Sequence, residues 1–203
     1  MKKDELFRIF EITDVLNLPD AAMAVVTGDK DKRDKVYHAL LAAVNYDLSY
    51  EWFADVYEAE LAQRKQNKQD FTPDSVGIIV SALTGDGPAT IHEPTAGNGS
   101  MLIADWHRRL RQTMPWEYFP SQHVFTCWEL SDRSIPLLLL NLSIRGMMGY
   151  VYHGDVLEKT VKAKYILLNE HDDALAFSDV FKVHPNAIIV NDNTNGNNIQ
   201  RPL

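Results

Sequence analysis

The sequence predicts an α/β fold preceded by a helical module, on three observations. Residues 89–110 read as a short apolar strand, a glycine-containing turn and a helix. Further apolar strand segments alternate with helical segments downstream, as in α/β proteins. The first seventy residues instead carry apolar side chains at helical spacing. We therefore expect a helical N-terminal module over 1–68, an α/β core over 69–192 and a flexible Asn-rich tail over 193–203.

The composition is that of an ordinary soluble globular protein. The chain has 203 residues, of which 45% are hydrophobic and 24% charged. No apolar run reaches the roughly 18 residues that a membrane span needs, so we expect no membrane partner. The single cysteine, Cys127, excludes an intramolecular disulfide and fits a reducing cytoplasm.

The charge balance argues against a protein that is basic throughout. Lys and Arg total 20 against 28 Asp and Glu, which gives a formal net charge of -8. The average field therefore repels nucleic acid, and a DNA enzyme of this composition needs a local basic face. The simpler interpretation of the basic residues is that they are solvated surface charges and do not form such a face. The candidates for a basic face are Arg64, Lys65, Lys68, Arg108, Arg109, Arg111, Lys159, Lys162 and Lys164.

The N-terminal part is predicted to form helices over residues 6–16, 35–50 and 51–68. Trp52, Phe53 and Tyr57 lie on one face of the last of these, where core packing is a better interpretation than base stacking. A further helix is expected over 74–83, with Thr72 as its N-cap and Pro73 in its first turn.

The segment that carries the most chemical information is the turn after the first strand. Glu93 and Pro94 lead into Thr95-Ala96-Gly97-Asn98-Gly99, and a helix is predicted over 100–110. The two glycines permit positive φ and a close approach of a ligand to the backbone. No lysine follows Gly99, as a phosphate-binding loop requires, and residue 102 is not the third glycine of a dinucleotide fingerprint. Glu93 would repel phosphate and attract an amine, which suits S-adenosylmethionine (SAM).

Residues 93–100, EPTAGNGS, resemble the Asp-Pro-Ala-Cys-Gly-Ser-Gly motif of N6-adenine DNA methyltransferases, particularly the methylation subunits of type I restriction-modification systems. The resemblance implies a three-layer, Rossmann-like SAM-dependent methyltransferase core. It also implies that Phe71 and Thr72, in a Phe-Thr-Pro element, contact the methionine end of SAM. In the turn, the implied cofactor contacts are Glu93, Pro94, Thr95, Ala96, Gly97 and Gly99.

The next two predicted strands end in acidic residues. A strand over 123–128 ends at Glu129, where a carboxylate can accept hydrogen bonds from both ribose hydroxyls of a nucleoside. The resemblance assigns Glu129 to the ribose and Leu130 to the adenine. After a strand over 150–153, it implies that Asp155 accepts a hydrogen bond from the adenine amino group while Val156 packs on the ring. Between them lies a predicted helix over 134–146, with Asn141 and Gly146 in the family spacing.

A fourth predicted strand, 164–168, ends at Asn169. In the active family this strand ends in Asn/Asp-Pro-Pro-Tyr/Phe, whose acceptors direct the lone pair of the target amine and whose aromatic ring stacks on the flipped base. Here Glu170, His171 and Asp172 follow, so Asn169 is at most a remnant catalytic residue. Adjacent side chains do not converge on one ion, and we expect no metal site. A helix over 174–180 and a fifth strand over 187–190 should complete a shortened sheet.

The resemblance implies a SAM-binding, N6-adenine DNA methyltransferase-like protein, either active or degenerate. It could depend on a partner specificity subunit for DNA recognition, within a homo- or hetero-oligomer. Two other classes stay open. A non-enzymatic interaction protein, such as a phage or plasmid decoy that kept the fold, predicts weak SAM binding and tight association with a protein. A methyltransferase for a protein or small molecule predicts SAM turnover without DNA.

Overall fold

A computed structural model describes residues 1–54, 56, 74–83, 90–186, 189–190 and 198–199. The helices are α1 (Lys3–Phe10), α2 (Leu18–Val26), α3 (Lys30–Ala43), α4 (Asp74–Leu83), α5 (Ser100–Leu110) and α6 (Ser134–Ser143). The main sheet contains β1 (Ile91–Glu93), β2 (Phe125–Glu129), β3 (Gly149–Asp155), β4 (Thr160–Leu168) and β5 (Asp179–Val183). A separate two-stranded ladder pairs β6 (Ile189–Val190) with β7 (Asn198–Ile199).

The main sheet is mixed, with its strands side by side in chain order from β1 to β5. The first three strands are parallel because α5 and α6 carry the chain back between them. β3 and β4 are antiparallel, and so are β4 and β5. Asp155 stabilises the turn into β4, since its Oδ1 accepts hydrogen bonds from the backbone N–H groups of Leu157 and Glu158. The predicted α/β class is confirmed.

One face of the sheet forms the core. Right-handed crossovers between strands in this order place α5 and α6 on the same face. Paired residues on that face are buried, as in the row Phe125, Gly149 and Leu167. On the other face Tyr152 is half-buried and stacks on Trp128 with ring centroids 4.8 Å apart, whereas Lys164, Ile166 and Leu168 of β4 are buried. A second helical layer, which a three-layer core would place there, is not seen among the described residues.

The N-terminal helices pack on α6 and share its core. Tyr37 of α3 is fully buried, and its hydroxyl lies 2.5 Å from Ser143 Oγ at the end of α6. The buried Arg33 forms an ion pair with Asp179, which begins β5. The described part of the helical module is therefore joined to the sheet by buried contacts. The predicted boundaries at 68/69 and 192/193 lie outside the described residues, and the division into domains stays a prediction.

Several predicted elements differ from the structure. The helix expected over 174–180 is wrong, because residues 174–178 are turn and irregular structure and residues from Asp179 onward form β5, which pairs with the last residues of β4. Of the strand predicted over 187–190, only residues 189–190, which form β6, are among the described residues. The helix expected over 51–68 lies mostly outside the described residues, as does most of the tail over 193–203. Trp52 and Phe53 are buried, which confirms their assignment to the core.

Candidate functional site

The glycine turn follows β1 and is attached to the end of β2. The Ala96 N–H donates to the Trp128 carbonyl over 2.8 Å, and the Gly97 N–H donates to Glu129 Oε2 over 2.7 Å. Gly97 has φ +55° and Gly99 has φ +100°, so both occupy the left-handed region that the turn was expected to need. The turn then leads directly into α5, as predicted from the sequence.

The two glycines of the turn have different surroundings. A Cβ placed on Gly97 would have no atom of the described residues within 4 Å, so none of them fills the space in front of this backbone. A Cβ on Gly99 would lie 3.0 Å from Leu138 Cδ1 and 3.4 Å from Leu142 Cδ2, both on α6. Gly97 therefore leaves room in which a ligand can approach the backbone. Gly99 allows the turn to pack closely on α6.

Three of the predicted acidic ligands lie at one edge of the sheet. Glu93, Glu129 and Asp155 are the last residues of β1, β2 and β3, which are adjacent and parallel. Burial raises the pKa of the Glu93 carboxyl, against the opposing effects of the Thr95 N–H and of His92. A strand-terminal edge of this kind is where open α/β sheets bind their ligands.

The Glu129 carboxylate is already hydrogen-bonded within the protein. Besides the bond from Gly97, its Oε1 accepts the Ser131 N–H over 2.7 Å. Each carboxylate oxygen can accept a second hydrogen bond, so the group keeps acceptor capacity for hydroxyl donors. The Asp155 carboxylate also keeps acceptor capacity. Its Oδ1 accepts the two backbone N–H bonds in the turn into β4, and its Oδ2 accepts none of the described hydrogen bonds.

The other predicted cofactor contacts are distributed around this edge. Pro94 and Thr95 are exposed on the turn, whereas Ala96 is buried beneath it. Leu130 is 54% exposed beside Glu129, and Val156 is half-buried beyond Asp155. Phe71 and Thr72 lie outside the described residues, so their contact with a cofactor stays a prediction.

Asn169 follows a strand, as predicted, but it does not lie at this edge of the sheet. β4 runs antiparallel to β3, with Leu167 opposite Gly149, so the chain leaves β4 at the edge where the parallel strands begin. The Asn169 side chain is fully buried and organises the following loop. Its Nδ2 donates to the carbonyl oxygens of Gly146, Asp173 and Ala176, and its Oδ1 accepts the Asp173 N–H. The side chain is therefore a local structural element in this fold.

Two polar residues near the turn were not predicted as site residues. Asn98, inside the turn, is 4% exposed, and its Nδ2 has no hydrogen-bond partner in the part of the chain that the structure describes. Glu51 is buried and reaches the turn through Asn141 of α6, which was noted only for its family spacing. The position of Asn98 between two glycines, and that of Asn141 as a polar residue in a mostly apolar helix, are sequence signals that could have identified these two residues. No sequence pattern connects Glu51 to them.

The candidate basic residues are largely engaged with acids or aromatic rings. Arg108 and Arg109 both pair with Asp105, and Lys162 pairs with Asp132. Lys164 is buried, with its ammonium group 4.8 and 4.9 Å from the ring centroids of two tyrosines. These contacts favour paired charges over a basic DNA-binding face. Arg64, Lys65 and Lys68 lie outside the described residues.

Three further features of the described residues concern other kinds of site. Across the described ranges, no group of three or more His, Cys, Asp and Glu side chains could hold a metal ion. Asp172 instead accepts hydrogen bonds from the backbone N–H and hydroxyl of Ser121. None of the described helices is both long enough and apolar enough to traverse a bilayer. A cleft of about 490 Å³ lies between α1, α2 and α3, beside the buried Arg33.

The chain has a distant structural similarity to a known protein. No protein-family model matches the sequence, and no curated protein does. A solved structure from Vibrio vulnificus, described as a modification subunit of a type I restriction enzyme whose assignment is itself provisional, is 15% identical with a TM-score of 0.47. The match covers 63% of this chain and 27% of that one, so the chain spans about a quarter of its length. A similarity this low assigns neither fold family nor function.

Proposed function

We propose that the chain binds SAM at the edge of the sheet that carries the glycine turn, as an N6-adenine DNA methyltransferase-like protein. One observation carries the proposal. The backbone at Gly97 faces space that no described residue fills, and its N–H is bonded to Glu129, the last residue of β2. Glu93 ends the adjacent parallel strand, β1, just before the turn, so a ligand at the turn would have carboxylate acceptors close to it.

The chemistry of the edge suits SAM better than a phosphorylated nucleotide. Carboxylates at Glu93, Glu129 and Asp155 accept hydrogen bonds from amines and hydroxyls and repel phosphate. In the proposed complex Glu93 holds the amino group, Glu129 the ribose hydroxyls and Asp155 the adenine amino group. Leu130 and Val156 pack against the adenine, and Phe71 and Thr72 are the proposed contacts of the methionine end.

Methyl transfer needs more than this edge. Bound SAM supplies an electrophilic methyl group, and the acceptor amine must be held in line with it. Asn169, the remnant of the family tetrapeptide, lies at the opposite edge of the sheet. We propose that this chain is a cofactor-binding subunit and that a partner subunit supplies DNA recognition and the alignment of the target amine.

A protein-interaction role is the second candidate, and one observation favours it. The loop before β2 exposes three large apolar side chains, with Met114 at 54%, Trp116 at 74% and Phe119 at 42% exposure. Exposed apolar groups so close in sequence are typical of surfaces that bind other proteins. The same loop would serve a partner subunit in the leading proposal, so the two candidates differ in cofactor binding.

Calorimetric titration with SAM and with S-adenosylhomocysteine tests the proposal. We expect micromolar binding of at least one ligand and no binding of ATP, which carries the phosphates that the acidic edge repels. If neither SAM nor S-adenosylhomocysteine gives heat or raises the Tm, the cofactor assignment is wrong and the interaction role takes its place. Where binding is found, transfer of a labelled methyl group to DNA, with and without candidate partners, tests the second step.

A further inference from the structure

We propose that Asn141 is a positioning residue for the glycine turn and that Glu51, in the N-terminal part of the chain, holds it in place. The proposal about the shape of the turn rests on hydrogen bonds alone. Its consequence for ligand affinity rests on the SAM site proposed above. It assigns a role in the cofactor site to a buried acid that comes more than forty residues before the turn.

Asn141 joins two parts of the chain through one amide group. It is fully buried on α6, and its Nδ2 donates to the Asn98 carbonyl over 2.9 Å and to Glu51 Oε1 over 2.8 Å. Its Oδ1 accepts a hydrogen bond of 3.2 Å from Arg145 Nη1. A side-chain amide whose two N–H donors and oxygen acceptor are all hydrogen-bonded has one favourable orientation. Flipping the amide group would exchange its nitrogen and oxygen and break these bonds.

Glu51 is fixed from its own side. The carboxylate accepts the Phe53 N–H over 2.9 Å and the Ala54 N–H over 2.7 Å, so the chain that follows it holds both oxygens. Arg145 donates to the carbonyl oxygens of Leu48 and Tyr50, which fixes the chain just before it. Residues 48–54 are thereby tied to α6, and the acceptor that Glu51 presents to Asn141 is rigid.

The carbonyl that Asn141 binds belongs to the residue between the two positive-φ glycines. Asn98 is buried, and a buried carbonyl without a partner is strongly disfavoured. The next residue, Gly99, packs against Leu138 and Leu142, which flank Asn141 on α6. The shape of the turn therefore depends on a side chain whose orientation is set by Glu51.

Backbone NMR of the ligand-free protein tests the proposal directly. We expect Asn141→Ala to move the amide resonances of Gly97, Asn98 and Gly99. Ser143→Ala is the matched control, because Ser143 is equally buried on α6 but bonds to Tyr37 instead of the turn. It should lower the Tm and leave the three resonances in place. Unchanged turn resonances in folded Asn141→Ala, or equal changes in both variants, would overturn the proposal.

Glu51→Met tests the long-range part and guards against an Asn141 variant that does not fold. It keeps about the length of the side chain and removes both acceptors, whereas a glutamine oxygen could still accept from Asn141 and Phe53. We expect the turn resonances to shift again. Asp47→Asn is the control from the same segment, since Asp47 bonds to Ser49 and not to Asn141. A Glu51→Met spectrum that differs only around residues 47–54 would show that Glu51 does not position the turn.

SAM titration of the same variants adds the functional consequence. We expect Asn141→Ala to weaken SAM binding by about tenfold or more, and Ser143→Ala to leave the affinity unchanged. If the unaltered protein does not bind SAM, the proposed function fails, and the NMR comparison still decides whether Asn141 shapes the turn. If SAM binds equally well to folded Asn141→Ala, the positioning role for the cofactor is rejected while the cofactor site stands.

Discussion

Gly97 donates its backbone N–H to Glu129 Oε2, so the acidic residue that ends β2 closes the turn that follows β1. The Ser131 N–H occupies the other carboxylate oxygen. The conformation of the turn and the position of the proposed ribose acid are consequently coupled. A substitution at Glu129 should therefore change the conformation of the turn, and a substitution in the turn should move the Glu129 carboxylate.

Gly97→Asp should abolish SAM binding while the protein stays folded. The Cβ of the new side chain would contact none of the described residues, and aspartate tolerates the left-handed region better than most residues. Its carboxylate would stand in the space proposed for the ligand and beside Glu129. Calorimetry with SAM, together with a thermal melt, measures both effects.

Asn45→Asp provides the comparison for that variant. Asn45 is exposed after α3 and has φ 52°, so the substitution adds the same charge in the same backbone conformation away from the turn. It should leave SAM affinity unchanged. Equal affinity of Gly97→Asp and the unaltered protein would remove the glycine turn from the cofactor site.

Alanine at the two glycines of the turn should have unequal effects on stability. At Gly97 the cost is that of the left-handed conformation, about 1–2 kcal/mol, because the space around it is open. At Gly99 the methyl group would also press on Leu138 at 3.0 Å, which adds an overpacking cost of about 1–3 kcal/mol. Urea unfolding of both variants measures the difference. A smaller loss for Gly99→Ala would contradict the packing described here.

Asn169→Ala should lower stability and leave SAM affinity unchanged. The substitution removes the donor shared by the Gly146, Asp173 and Ala176 carbonyl oxygens in a buried loop, and we expect a loss of about 1–3 kcal/mol. Denaturant unfolding and SAM titration of the same sample measure the two quantities. Loss of SAM binding in a folded variant would place Asn169 in the cofactor site despite its position on the sheet.

The stability of the protein should carry a pH dependence that originates from Glu51. Burial raises the pKa of this carboxyl above its ordinary 4.5, although the hydrogen bonds from Asn141, Phe53 and Ala54 oppose the shift. The folded state then holds the proton more tightly than the unfolded chain. The stabilisation of the folded state by this proton is therefore complete when the pH is below the pKa that Glu51 has in the unfolded chain. It is lost as the pH rises through the pKa that Glu51 has in the folded protein.

Urea unfolding of the unaltered protein and of Glu51→Gln, from about pH 4 to pH 7, isolates this contribution. The free energy of unfolding of the unaltered protein, relative to the variant, should decrease as the pH rises. A difference that is constant, or that grows with pH, would show that burial does not dominate the titration of Glu51.

The elements that local chemistry determines could be predicted from the sequence. The turn needs glycine at 97 and 99, and α5 begins and ends at residues 100 and 110 as its periodicity indicated. The acids at 93, 129 and 155 could be placed together because carboxyl ends of parallel strands share an edge. Each of these predictions depends either on residues that are close together in the sequence or on the general geometry of parallel sheets.

The direction of β4 could not be obtained in this way. The sequence pattern suggested a strand only from residue 164, which left enough chain after Asp155 for an unspecified connection. The strand begins at Thr160, and four residues after Asp155 can make only a hairpin. An error of four residues at one strand boundary therefore concealed the reversal. The Glu51–Asn141 contact was missed for another reason, since it depends on how distant helices pack.

The reversal at β4 also limits how this protein could change during evolution. Glu129, which accepts the Gly97 N–H, is level with His153 and Ala163 in the sheet, so Asn169 lies six residues further along β4, about 20 Å toward the opposite edge. Point mutations around Asn169 cannot restore a methyl-transfer centre next to the turn. A lineage that gained or regained that activity would have to recruit the loops after β1, β2 and β3, or a second polypeptide.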